Sequence, residues 1–85
     1  MNLFSIIAAY DSEVRANRSA DWDTVAAVAN CEDGLMGAWG EVGETADRLY
    51  AGELSDAQYD ALHDLFLAYQ QALRVELAAE RKASV

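Results

Sequence analysis

The most regular pattern in the chain lies in SDAQYDALHDLFLAYQQALRVELAAERK, residues 55–82. Its first four residues fit a capping box, in which Ser55 and Gln58 each bond the backbone N–H of the other. Leu54 and Tyr59 are spaced for a hydrophobic staple around that box. Large apolar residues then recur at three- and four-residue spacing, so they share one helix face. We therefore predict a helix over about 56–82, and its buried face is Tyr59, Leu62, Leu65, Phe66, Tyr69, Leu73 and Leu77.

A second helical pattern precedes this segment. Steps of three and four residues continue from Val25 to Leu49, which predicts one long or gently broken helix over about 22–51, with Ser19 or Asp21 as its N-cap. Gly52 is placed to end this helix. Because the connection that follows is short, we expect this helix and the next to form an antiparallel hairpin. The predicted buried face is Val25, Val28, Glu32, Leu35, Trp39, Val42, Ala46 and Leu49.

A third pattern lies at the start of the chain and predicts a helix over about 3–18 with Asn2 as its N-cap. Its apolar stripe is Leu3, Ile6, Ile7, Tyr10 and Val14. The chain has no proline, and Val and Ile never alternate over a strand length, so no sheet is expected. We predict a single all-α domain over 1–85, a small three-helix bundle built on the long hairpin. A homodimer is a second way for so small a chain to complete its core.

Glycines occupy every third position from 34 to 43. Inside a helix, each costs about 1 kcal/mol of stability relative to alanine. One interpretation is a break in the helix near residues 32–34, with Gly37 tolerated beyond it. The other is that a partner's backbone approaches closely at Gly37 and Gly40, on an outward face that also carries Glu41 and Glu44.

Negative charge is concentrated in the middle of the chain. Eleven acidic residues and one basic residue lie between Asp21 and Asp64, a net charge of −10, whereas residues 1–20 are neutral and residues 65–85 carry +1. Such a distribution repels nucleic acid and anionic membranes, and it attracts basic surfaces. We therefore expect a basic protein as partner, and no direct contact with nucleic acid or membrane.

Two rows of carboxylates are predicted on outward helix faces. The rows are Asp56, Asp60 and Asp64 in the third predicted helix, and Glu41, Glu44 and Asp47 in the second. Carboxylates in the first row stand about 6 Å apart along the helix, and in a hairpin both rows could lie on one side. One interpretation is a solvated face that maintains solubility. The other is that the rows imitate a nucleic-acid backbone and occupy a groove lined by Lys and Arg.

Two apolar residues fall off the predicted buried faces and are candidate anchors for a partner. Leu67 follows Asp60 and Asp64 on the outward strip of the third predicted helix, and Trp22 lies beside the buried face of the second. Apolar anchors beside charges are the usual source of affinity in protein interfaces. The alternatives are burial of Leu67 against the first helix or a dimer mate, and a Trp22 that closes one end of the bundle.

In size, charge and helicity the chain resembles small acidic helical proteins encoded by phages, which inhibit host defence or transcription and include anti-CRISPR proteins. The resemblance implies an inhibitor that binds protein, and the carboxylate rows suggest that it occupies a basic nucleic-acid-binding surface. The alternative is a structural or assembly module that self-associates through helix faces, with Gly37 and Gly40 at the contact and the acidic residues serving solubility.

Groups with catalytic or metal-binding chemistry are few. The spacing Asp60-x-x-His63 resembles half of the carboxylate and histidine set of di-iron bundles, and Glu32 could add a further carboxylate. The helical wheel, however, places Asp60 far from the core, so these side chains do not converge. We predict no metal site, no cofactor and no enzyme activity.

Cys31 is the single cysteine, so an intrachain disulfide is impossible and a reducing compartment is expected. Glu32 and Asp33 beside it disfavour a reactive thiolate. The apolar run over residues 3–9 is too short to cross a bilayer and lacks the basic region of a signal peptide. These features predict a cytoplasmic protein.

Overall fold

A computed structural model describes residues 2–18, 21–31 and 37–83. These residues contain no strand and form four helices: α1 Leu3–Arg18, α2 Trp22–Asn30, α3 Ala38–Tyr50 and α4 Asp56–Ala83. The all-α class is therefore confirmed. The fold is compact but elongated, with a radius of gyration of 13.3 Å and extents of 46 × 22 × 20 Å. α4 accounts for the long dimension, because its 28 residues span about 42 Å at 1.5 Å per residue. No helix within the described ranges is long and apolar enough to cross a membrane.

Two predicted helix starts are confirmed by their caps. Asn2 Oδ1 accepts a hydrogen bond from the N–H of Phe4 at 3.0 Å, which caps α1. Before α4, the Ser55 N–H donates to Gln58 Oε1 at 2.8 Å and the Gln58 N–H donates to Ser55 Oγ at 3.2 Å. This reciprocal pair is the predicted capping box. Leu54, the predicted staple residue, is buried.

The prediction of one helix over 22–51 is wrong, because the chain leaves helical geometry after Asn30. Asp21 caps α2, whereas Ser19 lies outside the described residues. Cys31 has extended backbone angles, and α3 begins after Gly37, which is its N-cap. The described residues therefore form four helices where three were expected, and a break separates α2 from α3. The turn expected at residues 32–34 lies outside the described residues, and Gly37 is an N-cap instead of a residue tolerated inside a helix. Glu32, Gly34 and Leu35 also lie outside the described residues.

Contacts from other parts of the chain stabilise the two ends of this break. The buried side-chain amide of Gln70 in α4 donates to the carbonyl oxygen of Val28 at 2.8 Å and to that of Cys31 at 3.0 Å. It thereby adds a donor at the end of α2, where the Val28 carbonyl otherwise accepts only the N–H of Cys31 at 3.4 Å. The N–H of Ala38 donates to Cys31 Sγ at 3.2 Å, which supplies a partner at the start of α3.

One hydrophobic core joins all four helices. α4 packs mainly on α2 and α1, and α3 packs mainly on α1. Trp39 links α3 to α4, because its ring lies 4.9 Å from that of His63 and 5.6 Å from that of Phe66. The buried apolar residues of the core are Ile6, Tyr10, Val14, Val25, Val28, Ala29, Ala38, Val42, Ala46, Leu54, Leu62, Phe66, Leu73 and Leu77.

Leu49, which the sequence pattern placed in the core, is wrongly assigned. Its side chain is 49% exposed. The reason is its position in the last turn of α3, beyond Ala46, the last buried residue of that helix.

Candidate protein-binding face

The carboxylate row of α4 is exposed, as its spacing predicts. Asp56, Asp60 and Asp64 are all exposed. Taking buried Phe66 as the direction of the core, Asp60 and Asp64 lie about 120° and 160° around the helix at 100° per residue. None of the three aspartates forms an ion pair within the part of the chain that the structure describes. Their charge therefore acts on solvent and on whatever approaches.

The one basic residue within residues 21–64 is bound to a carboxylate of α1. Arg48 is the one basic residue between positions 21 and 64. Its guanidinium donates to Glu13 Oε1 of α1 at 2.8 Å and also to Thr45 Oγ1 at 3.3 Å. Arg48 therefore lies on the α1 side of α3 and leaves the α4 row without a neutralising partner.

The second predicted row does not form one face, because its three carboxylates point in different directions around the axis of α3. The row is Glu41, Glu44 and Asp47. Each three-residue step falls about 60° short of a full turn. Glu41 faces α1, where Tyr10 Oη donates to its Oε2 at 3.0 Å. Asp47 faces α4, where Tyr59 Oη donates to its Oδ1 at 3.0 Å. Glu44 lies between them and is exposed. Asp47 therefore contacts α4 through Tyr59, the residue before Asp60, whereas Glu41 contacts α1.

We use the name acidic face for Asp47, Asp56, Asp60 and Asp64 together with Gly43 and Leu67. Leu67 is 46% exposed and lies about 100° from the core direction of α4, on the same flank as Asp60. On α3, Gly43 and Asp47 lie on the flank of Trp39, which contacts α4. A Cβ built at Gly43 would meet no atom within 4 Å, so the surface there is open.

The remaining predicted contact residues lie elsewhere. Trp22 is the first residue of α2 and packs partly buried against the core, which fits the closing role considered for it. Gly37 precedes α3 and lines a pocket of about 210 Å³ beside Cys31. Gly40 is half-buried within α3. Gly37 is thus the N-cap of the helix that contains Gly40, and the close approach of a partner at these two glycines stays a prediction.

Three tyrosine hydroxyls bind carboxylates, which the sequence pattern did not reveal. Besides the pairs already described, Tyr69 Oη donates to Asp11 Oδ1 at 3.0 Å. The pKa of Tyr69 is raised mainly by burial and secondly by the bond to Asp11. The pKa of Tyr10 is raised mainly by burial and secondly by the bond to Glu41. The bond to Asp47 raises the pKa of Tyr59. The available clue was that a buried tyrosine ring needs a partner for its hydroxyl.

His63 and Cys31 have structural contacts. The His63 ring meets Trp39 edge-on, with 83° between the ring planes, and Cys31 Sγ accepts the N–H of Ala38. Across residues 2–18, 21–31 and 37–83, no three His, Cys, Asp or Glu side chains are grouped to hold a metal ion.

The acidic face offers two kinds of interaction to a partner. Its four aspartates attract Lys and Arg side chains at a distance, and Leu67 supplies an apolar contact beside them. Both interactions suit recognition of a basic protein surface. No protein-family model, curated protein sequence or solved structure matches the chain.

Proposed function

We propose that this protein is an inhibitor that binds a basic nucleic-acid-binding protein through its acidic face and occupies the surface that otherwise holds phosphates. The observation that carries the proposal is the exposed row Asp56, Asp60 and Asp64. It has no ion pair among the described residues, while the nearby Arg48 is bound to Glu13 on another side.

The row has the chemistry that a phosphate-binding surface recognises. Nucleic acid binds proteins largely through electrostatic attraction between its phosphates and Lys or Arg side chains. A row of carboxylates attracts the same side chains, and salt weakens that attraction in the same direction. Asp47 adds a fourth charge from a second helix, so the charge is spread across the surface. Complementary charge of this kind speeds association and sets the register of the complex more than it raises affinity.

Leu67 supplies the part of the interaction that salt does not screen. Interfaces gain most of their affinity from a few apolar or aromatic side chains that lose water on binding. Its position between His63 and Gln71 on the flank of Asp60 places it inside the charged surface. The proposal extends to a cytoplasmic, phage-type inhibitor of host defence or transcription, the class that the chain resembles in size, charge and helicity.

To test the proposal, the full chain is tagged and used to pull down proteins from a bacterial lysate, once at low salt and once at high salt. We expect captured proteins that bind nucleic acid, that are lost at high salt and that a DNA duplex displaces. Each captured protein is then purified, loaded with a labelled DNA duplex and titrated with the chain. Stoichiometric release of the duplex supports the proposal. Captured proteins that neither bind DNA nor release it would overturn it.

Matched variants separate the acidic face from net charge. The triple variant Asp56→Asn, Asp60→Asn and Asp64→Asn removes three charges from the face. The control variant Asp23→Asn, Glu44→Gln and Glu53→Gln removes three exposed charges outside the acidic face. We expect the first to lose release of the duplex and the second to retain it. Equal loss in both variants would show that net charge alone attracts the target and would contradict the proposed face.

A further inference from the structure

A groove between α1 and α4 lies outside the acidic face. Its volume is about 430 Å³, within the range of clefts that hold small organic ligands. On α4 it is lined by Tyr69, Ala72 and Glu76, which lie about 60–120° from the core direction of that helix. Asp60 and Asp64 lie on the opposite flank of the same helix. A molecule bound in the groove would therefore leave the acidic face free.

One half of the groove is apolar. Phe4, Ile7 and Ala8 line it from α1, and Ala72 and Leu73 line it from α4. Phe4 is 68% exposed, and Ala8 and Ala72 are exposed as well. Apolar surface of this kind is stabilised when an apolar group covers it and removes it from water. This half of the groove therefore suits the hydrocarbon part of a ligand.

The other half of the groove is charged. Asp11 and Arg15 line it from α1, and Glu76 lines it from α4. Arg15 Nε donates to Asp11 Oδ2 at 2.7 Å, and Arg15 Nη2 donates to Glu76 Oε1 at 3.2 Å. Two carboxylates thus share one guanidinium, so this half has an excess of one negative charge. All three side chains are partly exposed, which leaves them accessible to a ligand.

The change from apolar to charged follows one line along α1. Phe4, Ala8, Asp11 and Arg15 recur at four- and three-residue spacing, so they share one side of the helix. At 1.5 Å per residue, Phe4 and Arg15 are about 16 Å apart along the axis. The groove therefore matches a ligand that has an apolar body and a charged group at one end.

The charged half favours a cation over an anion. A carboxylate has about four acceptor positions, and each oxygen of Asp11 accepts one donor, from Arg15 Nε or from Tyr69 Oη. An ammonium group would donate to the remaining positions and balance the excess negative charge. An anionic group would instead meet two carboxylates, and it would have to take Arg15 away from both of them.

We infer that the groove between α1 and α4 is a binding site for a small organic cation with an apolar body. The hydrocarbon lies against Phe4, Ala8 and Ala72, and the ammonium group bonds Asp11 and Glu76. The site is independent of the proposed inhibition, because it uses no residue of the acidic face.

Three probes of similar shape and different charge test this selectivity: phenylbutylamine, phenylbutanol and phenylbutyrate. Each is titrated into the isotope-labelled full chain, and binding is followed by the NMR shifts of the backbone amides. We expect the amine to shift residues 4–15 and 69–76 and to bind about tenfold more tightly than the butyrate, because it gains an ion pair where the butyrate is repelled. Equal affinity for the three probes, no binding of the amine, or amine shifts centred on the acidic face would overturn the inference.

Variants separate the groove from attraction to net charge. Ala72→Trp fills the groove from an exposed position and should weaken binding of phenylbutylamine by about tenfold or more, because the ligand loses its apolar contacts. Ala78→Trp, at an exposed position on the opposite flank of α4, is the matched control and should leave that affinity unchanged. Circular dichroism checks that each variant is folded. A folded Ala72→Trp variant that binds the amine as tightly as the unaltered chain would overturn the inference.

A second pair of variants tests the charged half. Glu76→Gln removes the excess negative charge and should reduce the preference for phenylbutylamine over phenylbutanol by about two- to fivefold, the usual contribution of an exposed ion pair. Glu44→Gln removes an exposed charge of α3 outside the groove and should leave the preference unchanged. An unchanged preference in Glu76→Gln, or an equal loss in both variants, would contradict the role assigned to the charged half.

Discussion

Ala51 ends α3 in a left-handed backbone conformation, with φ of 51° and ψ of 37°. Its N–H donates to the carbonyl oxygen of Asp47 at 2.8 Å. Gly52 follows with φ of 77°. Glycine adopts this region without strain, whereas a Cβ there costs about 1 kcal/mol. The helix therefore ends one residue earlier than the glycine position suggests, and an alanine bears the strain.

We predict that Ala51→Gly stabilises the protein by about 0.5–1 kcal/mol, because it removes this strain. The free energy of unfolding in urea measures the effect. Gly52→Ala is the paired change and should destabilise by a similar amount, although nothing within 4 Å would obstruct the added methyl group. A destabilising Ala51→Gly would show that the left-handed conformation is not the cause.

Gln70 is the buried side chain on which the end of α2 depends. Gln70→Leu keeps a similar volume but removes a donor from the carbonyl oxygens of Val28 and Cys31, and Val28 then retains only the N–H of Cys31 at 3.4 Å. We predict a loss of about 1–3 kcal/mol of unfolding free energy, the usual cost of unsatisfied buried polar groups. Gln71→Leu, at the exposed neighbouring position, is the control and should change stability by less than about 0.5 kcal/mol. Equal effects at both positions would contradict the capping role.

At the scale of the element, α3 contains Gly43 in its interior although no neighbouring atom requires a residue without a side chain there. A methyl group at Gly43 would meet no atom within 4 Å. We predict that Gly43→Ala raises the unfolding free energy by about 0.5–1 kcal/mol, since alanine favours the helix. Thermal unfolding measures the gain. If a target backbone approaches the acidic face at this position, the same variant should bind that target more weakly. An unchanged stability would contradict the open geometry.

The N-terminal starts of α1 and α4 could be predicted because the hydrogen bonds that fix them are local. Asn2 and Ser55 begin helices through bonds to residues two or three positions away, and the apolar spacing beyond them is regular. The position of the break between α2 and α3 could not be predicted from the local pattern. Its acceptors are satisfied by Gln70, which lies about forty residues further along the chain.

The candidate site shows the same division between local and distant causes. Exposure of Asp56, Asp60 and Asp64 follows from helix periodicity alone. The separation of Glu41 from Asp47 depends on which tyrosine of another helix lies beside each carboxylate. Tertiary packing sets those partners, so spacing within one helix did not reveal them.

At the scale of the whole molecule, Tyr10 and Tyr69 join α1, α3 and α4 in one network. Their rings pack edge to face at 6.0 Å, and their hydroxyls bind Glu41 and Asp11. The pKa of each hydroxyl is raised above its ordinary value near 10, by burial first and then by its carboxylate partner. The unfolded chain therefore releases these two protons near pH 10, whereas the folded chain retains them.

The contribution of Tyr10 and Tyr69 to the stability of the folded chain is therefore complete below pH 10 and is lost as the pH rises above 10. We predict that unfolding free energy falls by up to about 1.4 kcal/mol per pH unit for each tyrosine. A pH titration should show tyrosinate absorbance from these residues appearing together with the loss of helical circular dichroism. The double variant Tyr10→Phe and Tyr69→Phe should remove the part of that dependence due to these two residues and leave the part due to Tyr59. Full ionisation in a chain that remains helical would contradict the prediction.

The bond from Gln70 to the end of α2 also has a consequence for how the protein matures during synthesis. α2 has nine residues, too few for a helix to persist by itself in water. The ribosome completes α2 well before it adds the residue that holds the end of that helix. Newly made chains should therefore carry an unformed α2 until the middle of α4 has emerged. Nascent chains arrested before that point should be open to protease between α1 and α3, and chains arrested after it should be protected.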